Sequence, residues 1–342
     1  MKAAFFNPYW DTLGGGERYT LSFAKVLEDL GYENDIQWRN KKILKLAEKR
    51  FGIKFENTKV VKDVKKGDGY DLCFWISDGS IPLLRSRKNI LHFQVPFKDV
   101  NGKSLMNKMK LFRIKKVICN SQFTKNVIDE EYGINSEVVY PPCDVNTIKS
   151  KRKENIILNV GRFSQLLQSK HQDVLIAAFK RLVKWGLNDW KLVLAGGSDI
   201  GAIKYVEDLK KKAQGLTVEF LESADYKKIV NLLGVSKIFW SASGYNESEV
   251  KNPEKVEHFG ISVVEAMAGG CVPVVFNAGG HKEIINESTG FLWKDVNGLV
   301  RITRKLVTDN RFLRSFAKES VLRSKYFSYE NFEEKVKQIL HQ

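Results

Sequence analysis

Residues 257–280 read EHFGISVVEAMAGGCVPVVFNAGG, and this is the most informative stretch of the sequence. Glu257 falls in a predicted loop, and the helix predicted for Ile261–Ala268 carries Glu265 about one turn inside it. A predicted strand, Val272–Phe276, follows this helix. A loop, a helix and a strand in this order are typical of one repeating unit of a parallel α/β sheet.

Strands and helices alternate in the same way along the rest of the chain. Short apolar runs predict strands in the first part at Lys2–Phe6, Asp71–Ile76, Asn89–Phe93, Lys116–Cys119 and Ser136–Tyr140. Further strands are predicted in the second part at Asn155–Val160, Lys191–Ala195, Thr217–Leu221 and Ile238–Ser241. This alternation predicts parallel sheets covered by helices on both faces, with ligands bound beyond the carboxyl ends of the strands.

The length of 342 residues exceeds one ordinary core and fits two domains of about 150 residues each. Pro141-Pro142 breaks the chain, and Thr147–Glu154 is charged and has no apolar period. We therefore predict an N-terminal domain over residues 1–148 and a C-terminal domain over residues 149–325.

Residues 257–280 contain two glutamates and the start of a predicted helix. The carboxylates of Glu257 and Glu265 can address one ligand by accepting hydrogen bonds from sugar hydroxyls. The first N–H groups of the helix, at Gly260, Ile261 and Ser262, would hold a phosphate. The alternative is an ordinary amphipathic helix with two solvated glutamates.

The string at 257–280 resembles the signature of glycosyltransferase family 4, and the resemblance extends over nearly the whole chain. It implies an α/β GT-B fold, in which two doubly wound Rossmann-like domains face a central cleft, and a retaining activity. Residues 1–148, joined by a terminal helix over 326–342, would bind the acceptor, and residues 149–325 the nucleotide-sugar donor.

The resemblance also implies roles for individual residues. Glu257 would contact the donor hexose and Glu265 the ribose hydroxyls, while Phe259 joins the helix start at Gly260, Ile261 and Ser262 among the donor-binding residues. Gly279-Gly280 fits the tight turn that follows the next strand.

Two cations follow the first strand of the second domain. Arg162 comes at the strand end and Lys170 just before the next helix, which suits a diphosphate. The alternative is a solvated surface pair. By resemblance, both would bind the donor pyrophosphate and stabilise the departing nucleotide. The chain has no Asp-x-Asp pair, so we expect no metal and no other cofactor.

Two further candidates lie in the first domain. Gly15 and Gly16 follow the first strand and precede a helix predicted for Glu17–Leu30, so backbone N–H groups there can approach a ligand. His92 lies in an apolar strand, where a histidine is more often a core residue. By resemblance, the glycine loop lies near the donor phosphates and acceptor, and His92 contacts the donor sugar or acceptor.

The net charge of +16 favours anionic partners. The segment Lys98–Lys116 carries seven basic residues and one acidic residue, with apolar residues at roughly helical spacing. It can lie on an anionic membrane, or it can pack its apolar face inward. Without a run of about 20 apolar residues or a secretory signal, the chain is expected in the cytosol, with peripheral membrane association.

The EHFGIS string most resembles mannosyl-transferring members, so GDP-mannose is the expected donor and a glycan or lipid-linked molecule the acceptor. A UDP-sugar transferase of the same fold is the first alternative, followed by a nucleotide-sugar epimerase and a degenerate scaffold. A basic nucleic-acid-binding protein is the non-enzymatic alternative. We expect no nucleic-acid partner, because helix-turn-helix, zinc-ligand and RNA-recognition patterns are missing from the sequence.

Overall fold

The computed structural model describes residues 1–10, 14–165, 168–198 and 201–341. These residues form two compact α/β units: unit 1 comprises Met1–Pro142 with Tyr329–Gln342, and unit 2 comprises Cys143–Ser328. Each unit is built on one parallel sheet, which confirms the predicted fold class of two parallel-sheet α/β domains.

Unit 1 contains a seven-stranded sheet in the order β3-β2-β1-β4-β5-β6-β7. The strands are β1 (Lys2–Phe6), β2 (Glu33–Gln37), β3 (Thr58–Val61), β4 (Leu72–Ile76), β5 (Lys88–Phe93), β6 (Lys116–Cys119) and β7 (Glu137–Val138). The helices among its first 142 residues are α1 (Gly15–Asp29), α2 (Ile43–Phe51), α3 (Leu105–Leu111) and α4 (Gln122–Tyr132). The central strands β4 and β5 are buried almost throughout, as expected for a parallel sheet that helices cover on both faces.

Unit 2 contains a six-stranded sheet in the order β10-β9-β8-β11-β12-β13. The strands are β8 (Glu154–Val160), β9 (Lys191–Ala195), β10 (Val218–Leu221), β11 (Ser236–Ser241), β12 (Val272–Phe276) and β13 (Phe291–Trp293). The helices are α5 (Gln172–Trp185), α6 (Ile203–Lys212), α7 (Tyr226–Val235), α8 (Ile261–Ala268), α9 (His281–Ile284), α10 (Val296–Thr308) and α11 (Asn310–Ser324).

The strand order of unit 2 reverses beside β8. The chain runs outward from β8 to β9 and β10, then returns to place β11 on the other side of β8. After β8 and β11 the chain therefore continues toward opposite sides of the sheet, to β9 on one side and to β12 on the other. A crevice at such a switch point is where open α/β sheets bind ligands.

The last helix, α12 (Tyr329–His341), packs in unit 1, where Phe332 contacts Tyr19 and Phe23. The segment after Pro142 packs in unit 2, because the Cys143 N–H donates to the Phe327 carbonyl at 3.0 Å and Ile148 is buried. By this division, the start of unit 2 lies a few residues before the predicted boundary at residue 149.

Candidate functional site

Three loops at the carboxyl edge of the unit 2 sheet carry candidate residues, and the others lie in helix α8. These loops follow β8, β11 and β12, which are neighbouring parallel strands, so they leave the sheet at the same edge. The loop after β8 carries Arg162 and Lys170, the loop after β11 carries Glu257, and the loop after β12 carries Gly279 and Gly280. Residues 166 and 167 of the first loop are outside the described part of the chain.

Lys170 and Glu257 form an ion pair, with 2.8 Å between Nζ and Oε2. Only 17% and 16% of the two side chains is exposed. Burial opposes ionisation of Glu257, but the positive charge of Lys170, with contributions from His281 and His258, outweighs it and lowers the pKa of Glu257 to about 2. Lys170 and Glu257, which are far apart in the sequence, thus form one largely buried ion pair.

This pair makes the stability of the fold depend on pH. The pKa of Glu257 falls from 4.5 to about 2, so the ionised form stabilises the fold fully above pH 4.5 and loses this contribution as the pH falls toward 2. We expect the difference in unfolding free energy between the wild type and Glu257→Gln to narrow by about 2 kcal/mol from pH 7 to pH 3. Urea unfolding at each pH measures it, and a constant difference would contradict this assignment.

The loop after β8 is held by backbone contacts on both sides of Arg162. The Phe163 N–H donates to the Gly197 carbonyl at 2.9 Å, and Gln172 Nε2 donates to the Arg162 carbonyl at 3.0 Å. Gly196 has to be glycine here, since a Cβ atom would lie 2.1 Å from the Gly161 carbonyl oxygen. The loop therefore fixes the Arg162 backbone, while its side chain is exposed.

The Gly279-Gly280 turn supports the backbone of Glu257 directly. The Gly280 N–H donates to the Glu257 carbonyl at 2.7 Å. A Cβ atom on Gly279 would lie 2.1 Å from that same oxygen, and one on Gly280 would lie 2.4 Å from the Phe259 Cα. Gly279 also has a φ of +57°, which disfavours other residues. These glycines let two loops approach more closely than any side chain would allow.

Helix α8 begins beside the ion pair. Gly260 precedes it with a φ of +116°, and the first backbone N–H groups of the helix, including those of Ile261 and Ser262, have no carbonyl partner within it. Such a helix start attracts anions. Phe259 is buried and packs edge-to-face on Phe327, and Glu265 is buried with 8% of its surface exposed.

Three buried polar atoms at this edge have no hydrogen-bond partner among the described residues: Asn159 Oδ1, Ser243 Oγ and His281 Nε2. They belong to β8 and to the segments that follow β11 and β12. Buried polar groups are normally paired, so unpaired ones at one sheet edge indicate a ligand or bound water. These three residues carry no signal in the sequence, because only the fold shows them to be buried.

His281 is the best defined of the three. Its Nδ1 lies 2.8 Å from the Phe276 carbonyl oxygen, which can only accept, so Nδ1 carries a proton. Burial lowers the pKa of His281, although the carboxylate of Glu257 opposes the shift. The neutral imidazole therefore has a lone pair on Nε2, which can accept a hydrogen bond from a hydroxyl group.

The candidate glycines of unit 1 lie at the start of α1. A Cβ atom on Gly16 would lie 2.0 Å from Gln94 Oε1, so glycine is needed for this side chain to reach α1. Glu17 caps the helix start by accepting from the Gly14 N–H. Gly15 is exposed, and residues 11–13 are outside the described part of the chain.

His92 lies inside unit 1. None of its surface is exposed, and its ring stacks on Tyr19 with 4.1 Å between the ring centroids. Burial lowers the pKa of His92 to about 3, so its ring is neutral at physiological pH. A fully buried, neutral ring agrees with the alternative that His92 is a core residue. A contact between His92 and a ligand remains a prediction.

Residues 144–322 match the family model for glycosyl transferases group 1. The chain is 31% identical over 202 residues to the GDP-Man:Man(3)GlcNAc(2)-PP-Dol alpha-1,2-mannosyltransferase of Dictyostelium discoideum, which covers 52% of this chain and 37% of that protein. It is 30% identical over 204 residues to human alpha-1,3/1,6-mannosyltransferase ALG2, with 52% and 45% covered. The match spans less than half of either relative.

Solved structures with the same fold cover the chain from end to end. Anabaena Alr3699/HepE in complex with UDP superposes with a TM-score of 0.80 at 20% identity, over 100% of both chains. Sucrose-phosphate synthase from Thermosynechococcus elongatus gives a TM-score of 0.76 at 16% identity, over 100% of this chain and 98% of that one. These similarities confirm the GT-B fold class.

Proposed function

Because this chain belongs to the glycosyl transferases group 1 family, we propose that it is a retaining hexosyltransferase of glycosyltransferase family 4 that uses GDP-mannose. The observation that carries the proposal is the ion pair between Lys170 and Glu257 at the carboxyl edge of the unit 2 sheet. A cation for phosphate and a carboxylate for sugar hydroxyls stand side by side there, next to the start of α8.

The roles that we propose for the site residues follow from the charges that develop during transfer. As the glycosidic bond to the diphosphate breaks, negative charge grows on the leaving phosphates and positive charge on the sugar ring. Lys170, Arg162 and the first N–H groups of α8 would stabilise the leaving diphosphate. Glu257 would accept hydrogen bonds from hexose hydroxyls and hold Lys170 in place. Glu265 would bind the ribose hydroxyls of the nucleotide.

The remaining candidates have supporting roles in this proposal. The unpaired Nε2 of His281 is a suitable acceptor for a further sugar hydroxyl. Gly15 and Gly16 would allow backbone N–H groups at the start of α1 to approach a ligand. We propose no metal requirement, because the leaving diphosphate has two cationic side chains and a helix start available to it.

We propose a lipid-linked glycan as acceptor. The relative from Dictyostelium is named for transfer from GDP-Man to Man(3)GlcNAc(2)-PP-Dol, and an isoprenoid-linked glycan of this kind is the acceptor class we infer here. Such an acceptor would lie at a membrane surface, and we propose the cytosolic face as the location. Among the described residues, no helix is both long enough and apolar enough to span a bilayer.

A transfer assay tests this function. The full-length chain is incubated with GDP-[14C]mannose and a lipid-linked oligosaccharide extract, with EDTA present, and label is counted in the organic phase. We expect labelled lipid with GDP-mannose and none above background with UDP-[14C]glucose. Label from UDP-glucose alone would favour the UDP-sugar alternative, and no label from either donor would contradict the proposed activity.

A further inference from the structure

The segment Lys98–Lys116 (the basic segment) presents apolar side chains to solvent. Its helix α3 has no buried residue. Between 65% and 90% of the surface is exposed on four of its large side chains: Leu105, Met106, Met109 and Phe112. Single exposed apolar residues are ordinary, but a cluster of four on one short segment marks an interaction surface.

These four side chains share one face at helical spacing, and basic residues flank them. At about 100° per residue, Lys108 and Lys110 lie on either side of the apolar stripe. Leu111 lies on the opposite face and packs against the unit 1 cluster that contains Phe93 and Tyr132. The alternative that the basic segment packs its apolar face inward is therefore wrong, since only Leu111 of this helix joins that cluster.

The basic segment is held in place at its base. The Glu131 carboxylate accepts hydrogen bonds from the N–H groups of Asp99, Val100 and Gly102 at 3.0, 3.2 and 2.9 Å. Ser104 Oγ caps α3 by accepting from the Asn107 N–H at 3.3 Å. The apolar face is thus preorganised, and a partner would not have to order it.

Positive charge surrounds the apolar face. Seven basic residues accompany one acidic residue, Asp99, in the basic segment. Five of the basic side chains are exposed: Lys98, Lys103, Lys108, Arg113 and Lys115. Burial, together with the positive charges of Lys115 and Lys116 from this segment, lowers the pKa of the neighbouring Lys88. A partner for this surface must therefore be both apolar and anionic.

We propose that the apolar face of the basic segment is a docking surface for an anionic phospholipid bilayer. Leu105, Met106, Met109 and Phe112 would enter the boundary between headgroups and acyl chains, while the flanking lysines contact lipid phosphates. A bilayer offers both properties over a flat area, whereas a protein partner would need an acidic rim around a matching pocket. Docking fits the lipid-linked acceptor proposed above but does not rest on it, because the observations that carry it concern only the basic segment.

Flotation of the full-length chain with vesicles, without sugar nucleotide, tests this docking surface. We expect the wild type to float with phosphatidylcholine vesicles containing 30% phosphatidylglycerol, and not with phosphatidylcholine alone, at 150 mM salt. Met109→Ser/Phe112→Ser removes apolar contact and keeps every charge, and we expect it to lower the partition coefficient at least about tenfold. Lys108→Ala/Lys110→Ala should lower it about 25-fold, at about fivefold for each charge.

Helix α2 of the same unit supplies matched controls, because Leu46, Lys45 and Lys49 on it are exposed. Leu46→Ser and Lys45→Ala/Lys49→Ala should bind vesicles like the wild type. Failure of the wild type to float, or loss of binding only in the lysine variant, would overturn insertion of the apolar face. Self-association that Phe112→Ser abolishes, without vesicle binding, would also overturn it and assign the surface to a second copy of the chain.

Discussion

Replacing Glu257 by glutamine is expected to reduce the rate of mannosyl transfer by about a hundredfold or more. The change keeps the shape of the side chain and removes its charge. Lys170 then loses the carboxylate that holds its Nζ at 2.8 Å, and the hexose hydroxyls lose a charged acceptor. The initial rate with GDP-[14C]mannose measures the effect, and we expect kcat to fall more than KM rises, since charge on the leaving group is greater in the transition state than in the bound substrate.

The ion pair between Lys191 and Glu219 provides a matched control in the same unit. Its charged atoms are 3.4 Å apart, and 36% and 42% of the side chains is exposed. Glu219→Gln removes the same charge in the same way and should leave the rate within about twofold, because exposed pairs contribute little. Equal rates for Glu257→Gln and Glu219→Gln would show that Glu257 has no part in transfer.

Replacing Gly279 by alanine is expected to lower the free energy of unfolding by about 3 kcal/mol and to impair transfer at the same time. The new methyl group would lie 2.1 Å from the Glu257 carbonyl oxygen and 2.9 Å from Val256 Cγ2. The φ of +57° adds backbone strain. The loop that carries Glu257 must then move. Urea unfolding and the transfer assay measure the two effects.

Gly298→Ala is the matched control for this change. Gly298 lies inside α10 of the same unit, and the nearest atom to an added Cβ is 3.6 Å away, which is ordinary contact. We expect this variant to be as stable as the wild type or more so by about 0.5 to 1 kcal/mol, as alanine favours a helix interior. If Gly279→Ala unfolds at the same urea concentration as Gly298→Ala, the close approach of the two loops is wrong.

Much of the fold could be predicted because apolar runs bounded by turn residues mark buried strands. β1, β6, β9 and β12 have the bounds predicted from such runs. β2 was missed because its sequence, ENDIQ, is mostly polar. Asn34 is fully buried in it, with Nδ2 donating to the Ala24 carbonyl at 2.8 Å and to Thr58 Oγ1 at 3.0 Å. These partners of the Asn34 Nδ2 come from α1 and β3, so only the fold shows how a polar residue is buried in this strand.

The candidate site, too, could be predicted only in part from the sequence. Lys170 and Glu257 could be singled out from their positions at predicted loops, but their contact depends on the order of β8 and β11 in the sheet. Gly279 and Gly280 were visible as a turn, whereas their support of the Glu257 backbone requires two loops to meet. His281 carries no sequence signal, because an unpaired buried nitrogen is a property of the folded chain.

The carboxyl edge of the unit 2 sheet is proposed to bind the donor. Isothermal titration of the full-length chain with GDP-mannose, in the presence of EDTA, measures this binding directly. We expect saturable binding to the wild type, affinity weakened at least about tenfold in Lys170→Ala and in Arg162→Ala, and unchanged affinity in Lys191→Ala. Binding of GDP-mannose that is equally strong in Lys170→Ala and the wild type, or no binding to the wild type at all, would contradict it.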